Sequence, residues 1–186
     1  MKLKIVVGIT GASGTIYAKA LISKINAHPE LVQKCDVIFS EQAAKVWKYE
    51  LDNDDFEKLP NKIWPNNTFF APFASGSSDF DALIVCPCTM GTMAKIASGL
   101  ANDLISRTAD VMLKERRKLI LVTRETPLNL IHINNMKTIT EAGGVILPAN
   151  PSFYKHPKNI DELVDGLINK ILTMAGLAGF RKNWIS

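Results

Sequence analysis

Four stretches of the chain carry residues whose types and spacing suit chemistry. In GITGASG, residues 8–14, glycines at 8, 11 and 14 follow an apolar run and precede a helical pattern, the layout of a loop whose backbone N–H groups approach a phosphate at a helix start. PCTMGTMAKIASG, residues 87–99, offers Thr89, Thr92 and helix-start N–H groups, again suited to phosphate or to the polar atoms of a ring. In TRETP, residues 123–127, Arg124 stands beside Glu125: an arginine that clamps an anion with two donors, and a carboxylate that moves a proton. In NDLISRTADVMLKERRK, residues 102–118, Arg107, Asp110 and Lys114 fall at i, i+3 and i+7, on one helical face, with Asp110 placed to pair with either cation. Each has a plain structural alternative: a glycine turn that only packs strand on helix, a surface ion pair, a solvated helix face.

These residues need a scaffold. Apolar, β-branched runs at 4–9, 35–40, 82–87, 118–123 and 144–148 predict five strands buried on both faces. Helical periodicity between them predicts helices over 14–27, 41–49, 89–97, 101–116, 127–142 and 159–174. The alternation implies an α/β fold, a parallel sheet with helices on both faces, in which the three loops lie at the carboxyl edge where ligands bind. Pro60, Pro65 and Pro72 exclude a continuous helix through 53–78, which is expected as a long loop region. The 186 residues, 47% hydrophobic and 22% charged, suit one domain over 1–186 with a C-terminal tail from about 175.

Composition excludes other classes. A net charge of +4, spread along the chain, argues against a long nucleic-acid groove. No run reaches the roughly 20 apolar residues of a membrane helix, and a soluble protein is expected. Cys35, Cys86 and Cys88 are an odd set without metal-ligand spacing, so a reducing cytoplasm, core packing and no metal site are expected. A short-chain NAD(P) reductase is a rival, from TGASG and the Tyr154/Lys158 spacing. Thr15 stands where its loop needs glycine, however, and Pro157 breaks the helical turn between Tyr154 and Lys158. Ser40, in place of an acidic residue, closes the second strand.

GITGASG, ASGSS, CPCTMGTMAKIASGLANDLISRTADVMLKERRKLILVTRETP and GGVILPANPSFYKHP together resemble the flavin prenyltransferase family, the partner enzymes of prenylated-flavin-dependent decarboxylases, from about Lys4 to Leu172. The resemblance implies a three-layer, Rossmann-like or flavodoxin-like fold, a homo-oligomer with a dodecamer as its candidate size, and no metal. It implies that reduced FMN is alkylated by dimethylallyl phosphate at N5 and C6, and that the prenylated FMN passes to a decarboxylase. By position, FMN contacts fall on Gly11, Ala12, Ser13, Ser40, Thr89, Met90, Gly91, Thr92 and Arg124. Prenyl-phosphate contacts fall on Arg107, Lys114, Tyr154 and Lys170, with Phe69 at the prenyl pocket, and Ser13 and Glu125 match the catalytic pair.

Lys170 departs from the arginine common in the family, giving a point charge in place of a fork, and Phe69 replaces a tryptophan while keeping a π face. Trp184 resembles a family tryptophan near the C-terminus. Two alternatives stand beside this reading: an FMN-dependent decarboxylase of cysteine-type substrates with the same fold, and a flavin carrier without catalysis. The first has an Asn-rich loop where this chain reads PANPSFY and an early catalytic His, whereas His28 here sits beside Pro29 at a helix end. His132 is expected to be structural and His156 to line its loop.

Overall fold

The computed structural model describes residues 2–180. Strands β1 (Leu3–Ile9), β2 (Val32–Phe39), β3 (Lys62–Pro65), β4 (Ala82–Cys88), β5 (Lys118–Thr123) and β6 (Val145–Ile146) form one parallel sheet in the order 3-2-1-4-5-6. Helices α1 (Thr15–Asn26), α2 (Glu41–Leu51) and α6 (Ile160–Met174) cover one face, and α3 (Met90–Ala97), α4 (Leu104–Lys114) and α5 (Leu130–Glu141) the other. Successive strand residues point to opposite faces. Ile5, Val7, Ile84, Ile120 and Val122 therefore enter the first core while Val6, Leu83, Val85, Leu119 and Leu121 enter the second. No helix among the described residues is long and apolar enough to cross a membrane.

The expected five strands and six helices are present, with shifted ends. β2 begins at Val32 and stops at Phe39, because Ser40 turns the chain and caps α2, its hydroxyl accepting from Ala43 N at 3.1 Å. α4 and α5 start later than periodicity alone predicts, at capping boxes built on Asp103 with Ser106 and on Asn129 with His132. His132 is thereby structural.

The long loop expected over 53–78 is corrected. Two 3-10 turns, Asp55–Lys58 and Pro72–Ala74, bracket a sixth strand, β3, at the sheet edge. Proline excludes a helix but not an edge strand: Pro65 ends β3 where a missing N–H breaks no ladder bond. The Trp64 indole N–H donates to the buried Asp36 carboxylate at 3.0 Å and pins β3 to β2. Ala175, Leu177 and Phe180, in the stretch expected as a tail, pack into the first core; Trp184 lies outside the described residues.

Cys35, Cys86 and Cys88 are free and buried, as core packing requires. Burial pushes all three thiols up, Cys35 and Cys88 to about 12, which leaves them unreactive as nucleophiles.

Candidate functional site at the carboxyl edge

The strand order reverses between β1 and β4, and in open parallel sheets the crevice at such a switch point is where ligands sit. Thr10 closes its floor: its hydroxyl donates to Pro87 O at 2.7 Å and accepts from Thr89 N at 2.9 Å. Above it the β1 loop comes so close to α2 that a Cβ on Gly11 would lie 2.7 Å from Gln42 Cβ. Ala12 is buried against this contact and Ser13 is exposed at the tip, held from the far side by Arg124, whose Nε donates to Ser13 O at 3.2 Å.

The ends of β1, β2, β4 and β5 thus bring Gly11, Ala12, Ser13, Ser40, Thr89, Gly91, Thr92, Arg124 and Glu125 to one edge. Thr89 caps α3, its hydroxyl accepting from Thr92 N at 3.1 Å and donating to Thr92 Oγ1 at 2.9 Å. The N–H groups of Met90 and Gly91, in the first turn of α3, have no acceptor inside that helix. The Met90 side chain itself belongs to the second core, so only its backbone faces the crevice. Glu125 is exposed, with Oε1 accepting from Thr126 N at 3.0 Å.

One residue at this edge was not legible from the sequence. Glu50, in the last turn of α2, accepts from Gly14 N at 3.0 Å, from Thr15 N at 2.9 Å and from Thr15 Oγ1 at 2.7 Å. Gly14 is the N-cap of α1 and has no side chain to cap with, so Glu50 supplies the acceptor and its charge complements the helix end. Partial burial works to raise its pKa, but hydrogen bonds from Ser13, Thr15 and Gly14 outweigh that and hold the carboxyl below the usual range. Glu50 thus takes the Gly14 and Thr15 N–H groups that an anion at the start of α1 would otherwise use. The start of α3 remains for an anion. No spacing rule connects Glu50 to Ser13, 37 positions away, since their meeting depends on how α1 and α2 pack.

The cationic residues do not gather in one chain. Arg107 and Lys114 lie on α4, over the second face. Arg107 donates to Ala74 O at 3.0 Å and pairs with Asp110 at 2.9 Å, while Lys114 pairs with Glu115. Lys114 sits at the amino edge of the sheet, near the start of β5, and that six-residue strand puts it roughly 20 Å from Arg124 and Glu125. Phe69, 47% exposed, belongs to the segment that leads to Ala74. Tyr154 and Lys170 line a separate cavity of about 670 Å³ on the first face, with Ser152, Lys155 and Asn169. Three partial sites are therefore present: the crevice, the α4 wall and the α6 cavity. Among the described residues no group of three or more His, Cys, Asp or Glu is placed to hold a metal ion.

Residues 1–172 match the Flavoprotein family. The chain is 42% identical over 177 residues, 94% of each chain, to the flavin prenyltransferase UbiX of Methanocaldococcus jannaschii. The chain belongs to the flavin prenyltransferase family. Two solved structures superpose on it closely. AnUbiX (PadA1), in complex with FMN and dimethylallyl pyrophosphate, is 41% identical with a TM-score of 0.91, covering 100% of this chain and 99% of its own. A dodecameric FMN-dependent UbiX-like decarboxylase from Escherichia coli O157:H7 is 34% identical with a TM-score of 0.92, covering 99% and 100%. In this flavin prenyltransferase family member the six-stranded parallel sheet and the crevice at β1 and β4 are the shared framework.

Proposed function

We propose that this protein transfers a dimethylallyl group from dimethylallyl phosphate to N5 and C6 of reduced FMN, with no metal. The observation that carries the reading is the convergence of Ser13, Arg124 and Glu125 on the β1/β4 crevice, in a chain whose relatives are flavin prenyltransferases.

FMN fits the donor set: hydroxyls of Ser13, Ser40 and Thr89, the open N–H groups of α3, and the Arg124 guanidinium suit a polar ring edge and a phosphate. The flavin supplies the nucleophilic positions and a π surface against which positive charge on the prenyl group develops. An allylic phosphate leaves as a dianion, so Arg107, Lys114, Tyr154 and Lys170 hold it and stabilise its departure. Phe69 presents a ring face toward the prenyl group. Glu125, exposed at the crevice, takes the proton lost when the second bond closes. Glu50 orients the Ser13 hydroxyl and makes it a proton relay at the same edge.

Because the crevice, the α4 wall and the α6 cavity stand apart in one chain, the complete site forms where copies meet. The protein acts as a homo-oligomer, with a dodecamer as its expected size. The product serves a prenylated-FMN-dependent decarboxylase in a reducing cytoplasm, which the three free thiols suit.

The test is anaerobic incubation with reduced FMN and dimethylallyl phosphate, followed by mass spectrometry of the released flavin. A flavin heavier by one C5 unit supports the reading. Unmodified FMN that co-purifies tightly returns it to a thiol-substrate decarboxylase or a carrier.

A further inference from the structure

The end of α4 holds an arginine that none of the site assignments uses. α4 stops in a reversal in which Arg116 adopts φ 56 and Arg117 N donates to Met112 O at 2.8 Å, a six-to-one closure that fixes Arg117 rigidly against the last helical turn. From there Arg117 Nη2 donates to Gly76 O at 3.0 Å, across 41 positions. Its other terminal nitrogen, Nη1, is buried without a hydrogen-bond partner. Arg117 thereby commits a largely enclosed guanidinium to one backbone acceptor on the loop.

The loop is ASGSS, residues 74–78, rich in small residues and turned on itself by Ser78 N donating to Ser75 O at 3.1 Å. Arg107 holds it at Ala74 O and Arg117 at Gly76 O. At the second anchor Gly76 lies against the Lys114 ammonium and the Glu115 carboxylate so closely that a Cβ at position 76 would collide with both. The backbone of Gly76 thus borders the exposed Lys114 ammonium on the side next to its Glu115 partner.

We propose that Arg117 is a positioning residue for prenyl-phosphate binding, acting through Gly76 to fix the Lys114 ammonium. The inference rests on the phosphate-binding role given to Lys114 above. Arg117 touches neither flavin nor donor; it sets where the lysine points.

The test uses the full-length protein and three variants, Lys114→Met, Arg117→Met and the double variant, with KM for dimethylallyl phosphate, FMN affinity and Tm measured for each. Arg117→Met is expected to raise the donor KM about ten-fold with FMN affinity unchanged, and the double variant to lose no more than Lys114→Met alone. Gly76→Ala, which crowds Lys114 from the loop side and leaves Arg117 intact, is expected to raise the same KM and serves if Arg117→Met folds poorly. If Lys114→Met leaves the donor KM unchanged, the phosphate role of Lys114 falls and takes the inference with it. If Lys114→Met raises the KM but Arg117→Met and Gly76→Ala do not, or the effects of Lys114→Met and Arg117→Met simply multiply, the inference alone is overturned.

Discussion

The Glu50 carboxylate and Thr15 are joined twice, through the Thr15 amide at 2.9 Å and its hydroxyl at 2.7 Å, so the end of α2 caps the start of α1. These bonds hold the folded pKa of Glu50 below its ordinary value, against partial burial that works to raise it. The stability this contributes is therefore fully present above the ordinary carboxylate pKa of about 4.3 and is lost as pH falls through the lower folded value. Glu50→Gln is expected to cost about 1 kcal/mol at pH 7, some 2–4 °C in Tm, with the gap to the parent narrowing once pH drops below about 4. Thermal scans across that range check the sign; a gap that widens in acid contradicts it.

Gly11 sets how near the β1 loop comes to α2, and the atom a new side chain would meet is Gln42 Cβ, which cannot swing away as a flexible tip can. Gly11→Ala is expected to cost about 1–3 kcal/mol and to weaken FMN binding by moving Ser13 off the Arg124 guanidinium. Denaturant midpoints and flavin fluorescence quenching measure the two effects on the same sample, and FMN affinity equal to the parent's excludes this placement of Ser13.

Much of this architecture was legible because strand burial and helix period are local signals. Ile5 to Ile9 and Leu119 to Thr123 announce buried strands by composition, and the loops after them fall at the binding edge by topology. β3 was not legible, because Ile63 and Trp64 are too short a run between prolines and owe their strand to a neighbour, Asp36, 28 positions from Trp64. Glu50 was missed for the same reason, since its contact with Thr15 spans 35 positions and depends on how the sheet sets α1 beside α2. The resemblance named Arg107, Lys114, Tyr154 and Lys170 as one phosphate-binding set, but no sequence pattern says that the sheet keeps them apart.

Asp36 is 1% exposed and satisfied by Trp64 at 3.0 Å and by the Lys34 ammonium at 3.2 Å. Asp36→Leu leaves the indole N–H and a cation without their acceptor, and is expected to cost about 2–4 kcal/mol. β3 should detach first, so Trp64 fluorescence is expected to shift at lower denaturant than far-ultraviolet ellipticity. Coincident transitions at the parental midpoint would show that this pair does not hold the edge.

Glu125 and Lys170 are assigned different steps, which kinetics can separate. Glu125→Gln is expected to lower kcat by about 10²-fold or more while FMN affinity holds, because it removes a proton acceptor and no binding charge. Lys170→Ala is expected to raise the donor KM about ten-fold with a smaller change in kcat, and Lys170→Arg to retain binding through a two-donor fork. Equal small effects of both substitutions on both constants would remove these roles.

The separation of the α4 wall from the α6 cavity gives a sharper test of how the site is assembled. If Lys114 and Lys170 reach one phosphate from different copies, a chain carrying Lys114→Met and a chain carrying Lys170→Ala can complement each other within a mixed oligomer. Each variant alone lacks one cation at every site. With equal, random mixing, a site draws an intact Lys114 from one neighbour half the time and an intact Lys170 from another half the time, so about one quarter of the sites are whole. Co-expression of the two variants with different tags, tandem purification and the prenylation assay are expected to recover activity of that order over either parent variant. Were both lysines supplied to a site by the same chain, every site would stay defective and the mixed oligomer would be no more active than the better of the two variants.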